Sequence, residues 1–185
     1  MEIVVTGYAG LYGSLQIYHE QRFRTKLLER YSESFFGVLE RGDDPQSEAA
    51  REALRMRFAA ASEAGTAADS ADGGVLAALW RVCKQQRCGG VYALREIPVR
   101  QQTIEICEMF ALNPYRLTAP GCVVWLTTDE RDRRELIDAA AGAGVPSAVI
   151  GYTAKGVAIR RSDTEGDSSL RRPEQDEIRT LFPAQ

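Results

Sequence analysis

The sequence has little cysteine, a single histidine and no cluster that combines the two. Its 185 residues contain four cysteines, at Cys83, Cys88, Cys107 and Cys122, and one histidine, His19. Cys83 and Cys88 are separated by four residues rather than by the two of a typical zinc-binding pair, and no histidine lies near them in the sequence. We therefore predict no metal site and four reduced thiols, mostly buried, as in a cytoplasmic protein.

Long hydrophobic runs and a basic face are also lacking. No stretch approaches the about 20 apolar residues of a membrane-spanning helix, and the short apolar start at 1–5 is too brief for a signal peptide. The net charge is −3, and acidic and basic residues are interleaved, without the concentrated positive charge typical of nucleic-acid binding. We predict a cytoplasmic protein with no membrane and no nucleic-acid partner.

What the sequence does contain is a series of apolar patterns that predicts one domain followed by a polar tail. A chain of this length can bury roughly 70% of its unfolded surface. The predicted strands are 3–6, 91–94, 121–128, 147–152 and 156–161, and the short connection 153–155 predicts a hairpin between the last two. The predicted helices are 14–31, 34–40 stopped at Gly42, 45–64 beginning at Pro45, 75–86, 99–112 and 129–143. The domain is thus predicted over 1–161, and 162–185 is predicted to be a polar linker with a last helical turn from Pro173 to Phe182.

A glycine-rich turn follows the first predicted strand. Gly7, Gly10 and Gly13 space a turn that delivers the chain to Ser14, which we predict as a helix cap. The spacing matches neither the P-loop nor the dinucleotide fingerprint, so it predicts a tight turn more strongly than a phosphate cradle. His19 lies in the helix that follows and has no catalytic partner nearby in the sequence, so we interpret it as a surface or packing residue.

A polar stretch in the middle of the chain is the strongest candidate for ligand binding. Asp69 and Ser70 are suitable N-caps for the helix that follows, and Asp72, Gly73 and Gly74 would lie in or just before its first turn. Adjacent glycines would leave the amides of that turn open to a phosphate or carboxylate, held at roughly 0.3–1 kcal/mol, or up to about 2 kcal/mol when partly buried. An ordinary capped loop is the alternative, and these residues alone leave it open.

Three further signals for turns or helix ends complete the pattern. Gly65 is predicted to end the preceding helix as a C-cap, and Gly89–Gly90 is predicted to turn the chain. Later in the sequence, Asn113-Pro114-Tyr115 predicts a sharp turn before the apolar strand that begins at Gly121.

Four stretches of the sequence resemble the C-terminal domain of the aminoimidazole ribonucleotide (AIR) synthetase superfamily, in its branch near the hydrogenase maturation enzymes. The likeness runs from Ile3 to about Arg161. Its motifs are Val-Val-Thr-Gly-Tyr-Ala-Gly-Leu-Tyr-Gly-Ser at 4–14, Ala-Asp-Ser-Ala-Asp-Gly-Gly-Val-Leu-Ala-Ala-Leu-Trp at 68–80, Ile-Pro-Val-Arg-Gln-Gln-Thr-Ile-Glu-Ile-Cys at 97–107 and Leu-Asn-Pro-Tyr-Arg-Leu at 112–117.

The resemblance implies an α/β (α+β) fold with a mixed sheet that carries helices on its faces, partly similar to a ferredoxin-like arrangement. In the family this domain follows an N-terminal half that dimerises and binds ATP. These residues contain no counterpart of that half's ATP and magnesium motifs, and the family's signature histidine is replaced by Ala68. The motif also has Ala71 where relatives carry a hydroxyl, Ala119-Pro120-Gly121 replaces their turn, and the terminal cysteine of the maturation enzyme is missing.

These features favour a free-standing, catalytically reduced domain that binds an anionic small molecule or acts as an assembly module. The alternative is the acceptor half of a split ATP-dependent enzyme whose ATP-binding domain is a separate chain. Exposure of the surface that the missing half would cover predicts a homodimer. We predict no cofactor and no catalytic residue in this chain; the predicted ligand-binding residues are Gly10, Gly13, Ser14, Asp69, Asp72, Gly73, Gly74, Asn113 and Gly121.

Overall fold

A six-stranded mixed sheet forms the centre of the fold. The structure is a computed structural model that describes residues 1–40, 48–163, 169–172 and 175–183. The strands are β1 (Glu2–Thr6), β2 (Ala67–Ser70), β3 (Gly89–Tyr92), β4 (Ala119–Thr127), β5 (Ser147–Ala154) and β6 (Ile159–Arg161). They lie in the order β2-β4-β1-β5-β3-β6, and every neighbouring pair is antiparallel except β3 and β6, which are parallel.

Eight helices surround this sheet in the described part of the chain. They are α1 (Leu11–His19), α2 (Gln21–Leu28), α3 (Glu33–Glu40), α4 (Glu48–Glu63), α5 (Gly74–Gln85), α6 (Gln101–Met109), α7 (Glu130–Gly142) and α8 (Ile178–Leu181). Single 3₁₀ turns are formed by Leu94–Glu96 and Pro114–Arg116. None of the helices in the ranges described is long and apolar enough to cross a membrane.

The central strand β1 sends alternate side chains to the two faces of the sheet, as the two-residue repeat of a strand requires. Ile3 and Val5 pack in one core cluster together with α5, whereas Val4 packs in another, with Trp125 of β4 and Leu136 of α7. All three β1 residues are completely buried. The sheet is therefore covered on both faces near its middle, which explains why all three central residues of this short strand are apolar.

A third cluster is built mainly by helices. It joins α1, α2, α3 and α6 through buried residues such as Phe36 and Ile106. The C-terminal segment packs against the same cluster through Ile178, Leu181 and Phe182. These three apolar side chains dock the segment on the helices.

The α/β fold with helices on both faces of a mixed sheet is confirmed, but four local predictions were wrong. The predicted helix 14–31 is two helices, since Glu20 between α1 and α2 has an extended backbone. Gly89 and Gly90 belong to strand β3 rather than to a turn. The predicted hairpin does not form, because β3 lies between β5 and β6. Asp69 and Ser70, predicted as helix N-caps in a central loop, belong to the strand β2.

Some predicted helix ends are confirmed, and others lie outside the described residues. Gly65 follows α4 with a φ of 72°, and its amide donates to Ser62 O at 3.0 Å, as predicted for a C-cap. Asp129 caps α7 by accepting from the Asp132 amide. The predicted limits at Gly42, Pro45 and Pro173 lie outside the described residues.

Candidate functional site

The three turns singled out in the sequence meet at one end of the sheet. The first turn (7–14) follows β1, and the third (113–121) precedes β4. Because these strands are antiparallel neighbours, both turns lie at the same end of the sheet. Direct hydrogen bonds join the turns: the Gly13 amide donates to Thr118 O at 3.0 Å, and the Gly121 amide donates to Asp69 Oδ2 at 2.8 Å.

In the first turn, glycine allows close packing. Gly10 has a φ of 66° and caps α1, and a Cβ at this position would lie 2.7 Å from Pro114 O. A Cβ at Gly13 would lie 2.5 Å from Leu117 Cγ. Ser14 is not a helix cap, because it is the fourth residue of α1 and its buried hydroxyl donates to Gly10 O at 2.8 Å. These contacts leave no open cradle beside Gly10, Gly13 or Ser14.

The central stretch differs from the predicted cap. Asp69 and Ser70 lie in β2, and the N-cap of α5 is Gly73, whose φ of 73° is left-handed. The Asp69 side chain ties β2 to the third turn through the Gly121 amide. Asp72 is exposed, and its carbonyl accepts from Arg81 Nη1 at 2.9 Å.

The amides at the start of α5 already hold a carboxylate from the protein itself. Asp176, which is 4% exposed, accepts from the Gly73 amide at 2.8 Å and from the Thr118 amide at 3.1 Å. It also accepts from the Ile178 amide at 3.0 Å. A carboxylate at this helix N-terminus agrees with the preference predicted there, but it comes from the C-terminal segment.

Gly74 is enclosed as well. A Cβ at Gly74 would lie 2.6 Å from Tyr115 O, so the third turn packs directly on the start of α5. In that turn, Asn113 Oδ1 accepts from the Tyr115 amide at 3.0 Å and so shapes its own turn. Gly121, by contrast, is exposed, and a Cβ at this position would meet nothing within 4 Å.

An open cleft lies beside the first and third turns. Its volume is about 300 Å³, and it is lined by backbone of Gly7 and Gly121. Its other lining residues include Tyr8, Leu11, Tyr12, Leu15, Arg51, Arg100, Pro120, Cys122 and the α7–β5 connection from Ala143 to Pro146. Of the predicted ligand-binding residues, only Gly121 lines this cleft; Asp69 lies behind it and holds the Gly121 amide.

Two arginines give the cleft positive charge. Arg100 precedes α6, lies over the ring of Tyr8 with 4.5 Å between its Cζ and the ring centroid, and donates from Nη1 to Val38 O at 2.6 Å. Arg51 reaches the cleft from α4, where its Nη1 atom pairs with Glu48 Oε1 at 3.2 Å. Neither arginine was predicted as a site residue from the sequence, although Arg100 belongs to the Ile-Pro-Val-Arg stretch.

The single histidine and the four cysteines are the other side chains with chemistry of their own that the sequence raised. His19 is exposed, with its Nε2 atom 3.7 Å from Glu40 Oε1. All four cysteines are free thiols, and burial raises the pKa of Cys107 and of Cys122 to about 12. Within the described ranges, no group of three or more His, Cys, Asp or Glu side chains could hold a metal ion.

Comparisons with known proteins identify the fold independently. Residues 18–163 match the family model of the AIR synthase related protein, C-terminal domain. A structure of the hydrogenase maturation protein HypE from E. coli matches 95% of this chain and 51% of its own, with 18% identity and a TM-score of 0.65. Thiamine-monophosphate kinase from Stenotrophomonas maltophilia K279a matches 90% of this chain and 50% of its own, with 17% identity and a TM-score of 0.55.

The same fold also occurs in a larger protein. T. maritima PurL complexed with ADP matches 97% of this chain and 25% of its own, with 14% identity and a TM-score of 0.50. No curated protein matches the sequence. The chain spans about half the length of the HypE structures it matches.

Proposed function

This chain belongs to the AIR synthase-related C-terminal domain family, and we propose that it binds an anionic small molecule, bearing phosphate or carboxylate, in the cleft beside Gly121. The proposal describes a ligand-binding domain without catalytic groups of its own. Free thiols at all four cysteines support a reducing, cytoplasmic location.

The observation that carries the proposal is the combination of a cleft, exposed turn backbone and two guanidinium groups. Arg100 is positioned from two directions, by the Tyr8 ring and by the Val38 carbonyl, so little side-chain freedom is left to lose when a ligand binds. An arginine can bind phosphate or carboxylate through two parallel hydrogen bonds. Tyr12, which is 47% exposed, adds an aromatic surface at the same cleft.

The start of α5 supports this cleft over the site predicted from the sequence. Asp176 occupies the Gly73 and Thr118 amides, and a second anion beside that carboxylate would be repelled. The predicted residues Asp69, Gly73 and Gly74 therefore enter the proposal through the contacts that hold the third turn, whereas Asp72 is exposed and contacts Arg81.

A second candidate function is the acceptor half of a two-part ATP-dependent enzyme. It draws on the likeness to HypE and to thiamine-monophosphate kinase, in which the matched part is about half of each chain. One HypE structure is described as a HypE–HypF complex, and another as a complex with ATP. In this second function, the cleft would hold the acceptor, and a partner chain would supply the ATP site.

An assembly role is the third possibility that a particular surface supports. Tyr152 of β5 is 56% exposed and lies opposite Val91 of β3 in the antiparallel ladder. This part of the sheet face is suited to burial between two copies, as in the homodimer predicted from the sequence. Light scattering that gives a monomer at all concentrations would exclude this role.

The ligand proposal is tested by titrating the protein with inorganic phosphate, citrate and AMP while amide NMR shifts are recorded. We expect saturable shifts at Gly7 and Gly121 with at least one of these probes, and at least a tenfold weaker affinity in Arg100→Gln. Arg22→Gln is the matched control, since Arg22 also stacks on a ring, that of Phe23, and donates to a backbone carbonyl, that of Leu181.

The outcomes separate the candidate functions. Equal affinity in Arg100→Gln and in the unmodified protein, or no saturable shift with any probe, would exclude the cleft as an anion site. ATP hydrolysis by the isolated chain above the level of a Gly74→Arg variant would contradict the absence of catalytic groups. Co-purification with an ATP-binding chain would favour the two-part enzyme.

A further inference from the structure

A second cleft lies at the opposite end of α5 from Gly73. Its volume is about 470 Å³, and its walls include Trp80, Lys84, Arg87 and Ile159. Cys83 and Cys88 line the same cleft. It therefore combines an apolar surface, two positive charges and two thiols, none of which takes part in the proposed anion site.

The end of α5 places the two cysteines side by side. The Cys88 amide donates to Cys83 O at 3.0 Å, and the Arg87 amide donates to Lys84 O at 3.2 Å. Arg87 between them has a left-handed φ of 50°. This is the Schellman pattern, in which the residue after the left-handed position contacts the residue that accepts its amide hydrogen bond. In this helix those two residues are Cys88 and Cys83.

The two thiols differ in access. Cys83 is completely buried, and burial raises its pKa to about 12, with a further contribution from the neighbouring Cys88. Cys88 is only partly buried and faces the cleft. A reagent that enters the cleft therefore meets Cys88 first and Cys83 behind it.

The cleft also selects for charge. Lys84 and Arg87 lie on the same rim as Cys88, so a negatively charged reagent is drawn toward the accessible thiol. Trp80 and Ile159 offer apolar contact to the rest of such a molecule.

We propose that Cys88 and Cys83 form a dithiol modification site that reacts with an anionic low-molecular-weight disulfide such as oxidised glutathione. The site is distinct from the anion cleft and does not depend on the function proposed for it.

The reaction proceeds by two thiol–disulfide exchanges. The Cys88 thiolate first attacks one sulfur of the small disulfide, so that a mixed disulfide forms and one small thiolate leaves. Cys83 then transfers its proton to the small thiolate released in the first exchange and attacks Cys88 Sγ, which forms the Cys83–Cys88 disulfide and releases the second small thiolate. The two protein thiols are oxidised, the small disulfide is reduced, and the two protons lost by the cysteines balance the two thiolates released.

Intact-mass spectrometry after incubation of the full chain with oxidised glutathione tests the site. We expect the protein without substitutions to lose two hydrogen atoms and to keep no glutathione. The Cys83→Ala variant should keep one glutathione, and the Cys88→Ala variant should neither lose hydrogen atoms nor gain glutathione. Cys107→Ala is the matched control, since Cys107 is also followed by a Schellman turn but is nearly completely buried; it should behave like the unmodified protein.

A second measurement needs no change to either cysteine. Peptide mapping of the protein without substitutions, after oxidation, should recover a disulfide between Cys83 and Cys88.

The charge of the cleft is tested by rates of reaction. The Lys84→Gln and Arg87→Gln variants should react several-fold more slowly with oxidised glutathione, but at an unchanged rate with the neutral hydroxyethyl disulfide. The proposal would be overturned if the Cys88→Ala variant reacted as fast as the protein without substitutions, or if the mapped disulfide did not include Cys88.

Discussion

The two faces of the sheet are covered by helices that are held in different ways. Eight of the twelve residues of α5 are buried, whereas none of the sixteen residues of α4 on the other face is. Most of α5 therefore lies in the core, whereas α4 is a peripheral helix that covers the sheet with partly buried side chains.

The peripheral face compensates with specific contacts. Phe58 of α4 meets Trp125 of β4 edge to face, with ring centroids 5.9 Å apart. Arg57 binds Asp132 on α7 and also donates to its carbonyl at 2.9 Å. The helix α5 is thus held mainly by its own buried apolar area, which is non-directional, whereas α4 adds a few directional contacts to side chains that are only partly buried.

The largest expected effect comes from shortening a side chain on the α5 face. Leu79→Ala should lower the free energy of unfolding by about 3 kcal/mol, because Leu79 is completely buried and the change leaves a cavity. Phe58→Ala should cost about half as much, because Phe58 is only partly buried. Urea unfolding of both variants checks the comparison, and an equal loss would show that the two faces do not differ.

The next effect concerns the buried carboxylate at the start of α5. Asp176→Ala should lower the free energy of unfolding by about 2 kcal/mol, since it leaves the buried Gly73 and Thr118 amides without their acceptor. Asp72→Ala is the control, because Asp72 lies at the same helix end but is exposed. Similar losses in both variants would mean that the charge near the helix end, and not the buried hydrogen bonds, stabilises α5.

The contrast between the faces was partly visible in the sequence. The sequence predicted a helix over 75–86 and an apolar strand that begins at Gly121. The structure has α5 and β4 there, and most residues of both are buried. A helix was also predicted over 45–64, but its alanine-rich pattern includes Ala49 and Ala53, which are exposed in α4. Alanine-rich periodicity fits a helix well but does not show how deeply it packs.

Tertiary pairing decided the elements that the sequence missed. The residues of β2, Ala-Ala-Asp-Ser, have little strand preference, and they form an edge strand because β4 offers a pairing partner. Nothing local could have placed Asp176 at the Gly73 amide, since 103 residues separate them. The cleft residue Arg51 likewise comes from a helix far along the chain from Gly121.

The ion pair of the peripheral face gives a smaller effect. Arg57→Met should lower the free energy of unfolding by about 1 kcal/mol, because the pair with Asp132 is partly buried and also hydrogen-bonded. Arg131→Met, which removes an exposed pair with Glu135 on the same helix, should have no measurable effect. Urea unfolding in low and high salt checks both variants. If only Arg131→Met lost stability, the exposed pair and not the Arg57–Asp132 pair would be the stabilising one.

The smallest effect tests whether the two faces also differ at their helix ends. α4 and α7 are followed by glycines with positive φ, Gly65 and Gly144, whereas α5 is followed by Arg87 in the same left-handed conformation. An L-residue there is strained by about 1–2 kcal/mol, partly offset by the greater freedom that glycine has in the unfolded chain. Arg87→Gly should therefore raise the free energy of unfolding by about 0.5 kcal/mol, and Gly144→Ala should lower it by a similar amount. Thermal and urea unfolding check both variants. If Arg87→Gly is destabilising, contacts of the arginine side chain outweigh its backbone strain, and Arg87 stabilises the end of α5.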